Sequence, residues 1–210
     1  MKKTVLSIAF SLLAIITTFG QNFEGKIFYS NTYKSKNPQM TDQQWTSIMG
    51  SKQEYLIKGG NYKSIANGTL VQWQLYINGD NKLYNKISNS ETAFWNDGSL
   101  QGDEVLKVEL NKNVTEVLGY KCDEVILTCI SGVQKYYFNS KLAVDAKLFA
   151  NHKFGNWFDY LSKSNSLPLK SIIDNAQFTL ESVATEIKSL KLDDKEFELP
   201  AGIKTDKSPY

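Results

Sequence analysis

The chain has 210 residues with 24 basic and 22 acidic side chains, and every basic residue is lysine. A charge this close to balance gives no electrostatic footprint for nucleic acid or an anionic membrane surface, and without guanidinium groups there is no bidentate fork for phosphate or carboxylate. The single histidine, His152, sits in Asn151-His152-Lys153-Phe154-Gly155 without a nucleophile motif, and one histidine with two separated cysteines makes no zinc cluster.

In chain order, Lys2 and Lys3 precede an uncharged, largely apolar run from Val5 to Phe19, with small residues at Thr18 and Gly20. This pattern predicts a secretory signal peptide over residues 1–20 and a periplasmic or secreted mature domain over 21–210, beginning at Gln21. The run is shorter than the ~20 apolar residues of a membrane span, and no cysteine follows it to carry a lipid. About 190 residues remain, enough for one domain with a proper core. Loss of Lys2 and Lys3 makes that domain neutral.

The mature region alternates short aromatic and β-branched runs with Asn, Gly and Asp clusters, which predicts an antiparallel sheet. Strands are expected at Phe23 to Tyr33, in a hairpin of Tyr55 to Lys58 with Tyr62 to Ala66, and at Leu70 to Ile77. In the last of these, Val71, Trp73, Leu75 and Ile77 share one face and Gln72 and Gln74 the other. Further strands are expected at Leu83 to Ile87, Thr92 to Trp95, Val105 to Leu110, Thr115 to Leu118, Tyr120 to Ile130, Lys135 to Phe138, Leu169 to Ile173, Phe178 to Ile187 and Lys195 to Leu199. Thr41 reads as the N-cap of a short helix carrying Trp45, Ile48 and Met49 and ending at Gly50. Phe154, Trp157, Phe158 and Leu161 have helical spacing and predict a second helix over Phe149 to Leu161, weakened by Gly155 and Asn156.

Cys122 and Cys129 fall in one predicted strand, ~23 Å apart and on opposite faces, so two buried free thiols are expected instead of a disulfide. Asp193, Asp194 and Glu196 read as a solvated turn, lacking the glycine-centred spacing of a calcium loop. The sequons at Asn67 and Asn113 carry no meaning in a bacterial periplasm. Paired carboxylates of a hydrolase would have to come from distant strands, and would show raised pKa values in one cleft. The expected fold is α+β: a large curved antiparallel sheet with one or two helices in its concavity. Four tryptophans and many other rings make an apolar concavity the natural place for a ligand.

Val117-Leu118-Gly119-Tyr120-Lys121-Cys122, with Phe197-Glu198-Leu199-Pro200-Ala201-Gly202 near the C-terminus, resembles exported bacterial domains of the GLPGLI type, distantly similar to the lipoprotein carriers LolA and LolB. At Leu167-Pro168-Leu169 the flanking glycines of that family are absent, as is the arginine that holds the lid of LolA-like carriers. The resemblance implies a half-barrel and a non-enzymatic binding role without a cofactor or metal. The expected ligand is a lipid, acyl chain or other apolar group; nucleic acid is excluded and membrane contact is at most transient. Trp73, Leu75 and Ile77 are the expected concave wall, and Trp45, Phe154, Trp157 and Phe158 the expected contacts from the covering helices. The alternative is a cell-envelope protein-interaction module with a filled core.

Overall fold

The computed structural model describes residues 22–209, so the predicted signal peptide lies outside the described residues. The strands are β1 (Gly25–Ser35), β2 (Lys52–Lys58), β3 (Asn61–Ala66), β4 (Val71–Ile77), β5 (Lys82–Ile87), β6 (Thr92–Asp97), β7 (Val105–Val117), β8 (Tyr120–Cys129), β9 (Gly132–Ala143), β10 (Ser166–Asn175), β11 (Phe178–Ser189) and β12 (Lys204–Lys207). Two α-helices, α1 (Asp42–Met49) and α2 (Trp157–Ser164), and three short 3-10 turns complete the described chain. The strands form one open, curved sheet in the order β12-β6-β5-β4-β3-β2-β1-β11-β10-β9-β8-β7. Every neighbouring pair is antiparallel except β12 with β6. The expected α+β sheet is therefore observed, and no described helix is long and apolar enough to cross a membrane.

Local chemistry explains most of the elements. Thr41 Oγ1 accepts from the Gln44 N–H while Gln44 Oε1 accepts from the Thr41 N–H, a reciprocal capping box that starts α1. Leu118 and Gly119 both have positive φ, the backbone of a two-residue I′ hairpin turn, and this closes β7 onto β8. The two runs expected at 105–110 and 115–118 are one strand, with a register irregularity between Asn111 and Thr115 where Asn113 has a positive φ.

Two sequence expectations are corrected. The second helix does not begin at Phe149: residues Ala146–Phe149 and Phe154–Asn156 form separate 3-10 turns, and α2 starts only at Trp157. Gly155 and Asn156 adopt φ of 66° and 60°, which breaks the α ladder before it can propagate. Lys195 to Leu199 is not a strand, because Asp193 caps a 3-10 turn over Asp194–Phe197. Cys122 and Cys129 are buried and free on one strand, as expected, but both enter the same apolar cluster. Regular pairing of β8 with β9 runs from Asp123 to Thr128 and leaves Cys122 beyond it.

Each face of the sheet has its own apolar layer. The inner face carries Ile27, Tyr29, Tyr55, Tyr62, Tyr76, Leu83, Val125, Leu127, Tyr136 and Phe138 against Phe149, Tyr160 and Leu161. The outer face carries Leu56, Leu75 and Tyr84, covered by Leu192 and Phe197 from the C-terminal segment, with Trp73, Ile77, Trp95 and Leu199 around them. That segment is tied down where the Lys58 ammonium meets Asp194 at 2.7 Å and donates to the Leu192 carbonyl, and where the Leu192 N–H donates to Glu24.

Candidate functional site

Along several strands the inner-facing residue changes character in one step of two. Tyr29 gives way to Asn31, Tyr55 to Gln53, Tyr62 to Ser64, Tyr76 to Gln74, Leu83 to Asn85, and Ala184 to Ser182. Because side chains two apart share a face, the inner surface divides into a half rich in rings and a half rich in amides and hydroxyls.

The ring half is filled. Tyr55, Tyr62 and Tyr76 stack in a row at centroid spacings of 5.3 Å, and His152 lies on Tyr76 at 4.0 Å. The Tyr62 hydroxyl and His152 Nε2 share a 2.8 Å hydrogen bond. From α2, Tyr160 stacks on Tyr136 at 4.2 Å and its hydroxyl donates to the Ser166 carbonyl. Burial without a charged partner lowers the His152 pKa to about 4, so the ring is neutral at physiological pH. The hydroxyls of Tyr29, Tyr55, Tyr62, Tyr136 and Tyr160 are likewise held protonated by burial.

The polar half is open. A cavity of about 180 Å³ is lined by Asn31, Tyr33, Met49, Gln53, Ser64, Ala66, Val71, Gln74 and Leu180. Its position follows from how α1 docks. The Thr69 and Leu70 N–H groups donate to the Ser47 and Ile48 carbonyls, and Gly50 and Gly68 approach so closely that a Cβ on either would strike backbone at 2.7 Å or less. This contact brings Met49 to the cavity, while Trp45 lies on Phe178 at 4.7 Å and donates from its indole N–H to Ser35 Oγ. Val71 reaches the inner side because the β4–β5 register shifts between Val71 and Trp73.

The hydrogen bonding of the cavity is unbalanced. Gln53 donates one amide N–H to Ser64 Oγ, and Gln74 donates one to Asn85 Oδ1. Asn31 is 6% exposed and its Oδ1 is buried without a partner. None of the lining residues is ionisable apart from Tyr33, whose hydroxyl burial raises to about 12. The cavity therefore presents uncharged amide and hydroxyl groups in a partly apolar setting. A buried acceptor without a donor is costly, by about 1–3 kcal/mol.

The predicted site residues are not brought together. Trp73, Leu75 and Ile77 belong to the outer apolar layer, on the face opposite Tyr76, so they do not form the concave wall. Their alternation showed that they share a face but not which face, and the C-terminal segment gives the outer side an apolar cover of its own. Phe154 and Trp157 pack against the ring half, where the Trp157 indole nitrogen is buried without a partner. Phe158 is half-buried and belongs to neither layer. Trp45 is on α1, the helix whose Met49 lines the cavity, and packs on Phe178 outside that lining. Asn31, Gln53, Ser64 and Gln74 were missed because single polar residues in alternating strands read as solvent-facing; the step from ring to polar group, repeated on each strand from β1 to β4, is the signal that marks them. No described group of His, Cys, Asp and Glu residues has the geometry to hold a metal ion. Among the described carboxylates whose pKa moves, all move down: Glu24, Asp42, Asp97, Asp123 and Asp174.

Fold and site together define a class: an open, curved antiparallel sheet whose inner face has a filled, ring-rich half and a polar half with a small neutral cavity. No family model matches the chain, and no curated protein matches it. Among solved structures, PNGF-II is similar at 15% identity and a TM-score of 0.49, over 89% of this chain and 32% of that one. The chain thus spans about a third of the length of PNGF-II. An uncharacterized conserved protein from Thermus thermophilus is similar at 6% identity and a TM-score of 0.45, over 88% and 91% of the two chains. LprF from Mycobacterium bovis is similar at 8% identity and a TM-score of 0.29, over 85% and 90%.

Proposed function

We propose that this is a non-enzymatic binding module of the bacterial cell envelope, taking part of a small apolar ligand into the cavity between α1 and strands β1 to β4. The carrying observation is the cavity itself, in which Asn31, whose Oδ1 is buried without a partner, and the amides of Gln53 and Gln74 stand with Tyr33, Met49, Val71 and Leu180. Apolar burial supplies about 0.8 kcal/mol per methylene, and a lining of amides and hydroxyls without a cation favours a neutral polar group, such as a hydroxyl or amide, over a carboxylate. The cavity is below the ~300 Å³ at which drug-sized pockets begin, so only one end of an extended ligand enters. The open, curved sheet with helices on its inner face agrees with the half-barrel that the GLPGLI-type resemblance implies.

The test is mass spectrometry of solvent extracts from protein recovered from a periplasm without detergent. A stoichiometric apolar molecule bearing a hydroxyl or amide, absent from the Asn31→Leu variant, supports the reading. An empty extract from folded protein overturns it. The second reading, an interaction module with a filled core, is favoured by the close packing of the ring half, where Tyr76, Tyr160 and Phe149 are fully buried.

A further inference from the structure

The two edges of the sheet differ sharply. One edge is β12, four residues long and carrying Lys204 and Lys207, the short lysine-bearing form that discourages pairing. The other is β7, thirteen residues long, with β8 on one side and, among the described residues, no strand on the other. Within β7, Leu106 is 61% exposed, Val108 39% and Leu110 48%. An unpaired strand that also exposes a short apolar row is the form that adds a strand from another chain.

The charge pattern of β7 selects the occupant. Around Val108 the segment Glu104-Val105-Leu106-Lys107-Val108-Glu109-Leu110-Asn111-Lys112 is self-complementary when laid antiparallel on itself. Val108 then faces Val108 of the second copy, Leu106 faces Leu110, Lys107 faces Glu109, and Glu104 faces Lys112, each of these last pairs occurring twice. Within one chain Lys107 and Glu109 already lie side by side, with a 2.6 Å ion pair on the exposed strand. Register irregularities at Val105/Lys107 and Asn111/Thr115 leave Lys107–Asn111 as the regular stretch, so pairing rests on Val108 with Val108 and Lys107 with Glu109, with Leu106 at the bulged end and Glu104 and Lys112 beyond it. We infer that a second copy of this chain pairs through β7, antiparallel and centred on Val108, joining two open sheets across a two-fold axis. Such an isologous contact closes at two, since it consumes the same edge on both copies and the β12 edge is blunted.

The experiment is cysteine cross-linking of the full chain under mild oxidation, with sedimentation velocity alongside. Cβ atoms directly opposite each other in an antiparallel pair are about 4.5–5.5 Å apart, near disulfide reach, and Cys122 and Cys129 are buried. Val108→Cys should give a covalent dimer alone. Lys107→Cys and Glu109→Cys should give none separately and a heterodimer when mixed. Lys107→Glu should dissociate the dimer by at least tenfold in Kd, and Lys107→Glu combined with Glu109→Lys should restore it. Wild-type protein sedimenting as a monomer up to about 200 µM, which would require a pairing weaker than about 5 kcal/mol, overturns the inference. So does a dimer whose cross-links fit another register. The substituted side chains are exposed, so the variants retain the fold.

Discussion

The two halves of the inner face are built on the same strands and do opposite things. Under α2, Tyr62, Tyr76, Tyr136 and Tyr160 stack with His152 and Phe149 into a closed layer. Two residues further along the same strands, Gln53, Ser64, Gln74 and Asn31 line a cavity beside α1. Stacked rings bury large areas and gain edge or face contacts of about 0.5–1.5 kcal/mol per pair. Amides and hydroxyls contribute little net energy once water competes, and each unpaired atom is a loss. The first half holds the fold together; the second tolerates change and is free to serve binding.

Breaking the ring half should have the largest effect. Tyr160→Ala removes a fully buried ring and its hydrogen bond to Ser166, and should destabilise the fold by about 3–5 kcal/mol in urea denaturation. Leu75→Ala, on the outer face, should cost about 2–4 kcal/mol in the same assay and leave ligand retention unchanged, because Leu75 lies under Leu192 and Phe197 and not in the cavity.

Between about pH 6.5 and 4, acid should act on the inner face through His152 in the ring half. The folded-state pKa of His152, about 4, is below its ordinary value of 6.5, so the unfolded chain binds the extra proton. That stability is fully present above pH 6.5 and is lost as the pH falls towards 4, on the order of 3 kcal/mol. His152→Gln should flatten the pH dependence of the urea midpoint over this window. Thr41→Ala removes the α1 cap and should cost about 1 kcal/mol, loosening the helix that brings Met49 to the cavity. The smallest stability effect belongs to Asn31→Leu. Replacing an orphaned buried acceptor by an apolar group of similar shape should leave the urea midpoint unchanged or slightly raised. A loss of more than about 2 kcal/mol there would show that Asn31 belongs to the structural half.

Much of the architecture is legible in local chemistry. The strands from β1 to β11 follow from alternation and turn residues, and the α1 cap from Thr41 and Gln44. The limits of such reading are also local in origin. Trp73, Leu75 and Ile77 alternate cleanly, yet alternation is blind to the sign of the face, and an apolar cover waited on both sides. Phe154, Trp157 and Phe158 match helical spacing, but two adjacent left-handed residues, Gly155 and Asn156, separate Phe154 from the helix that follows. The cavity was invisible because its polar residues are ordinary one at a time and acquire meaning only through register, which lays Ser64 beside Gln74 and Gln74 beside Asn85.

By itself, then, the sequence determined a nearly charge-balanced, lysine-only, aromatic-rich antiparallel sheet with a capped helix and two unbridged cysteines, because composition, periodicity and capping act within a few residues. Only the tertiary structure decided which face is inner, that the C-terminal segment seals the outer face, and that a ring half and an amide half share the same strands. Those outcomes depend on sheet curvature and on pairing between residues as distant as Tyr29 and Ala184, and no local pattern encodes such contacts.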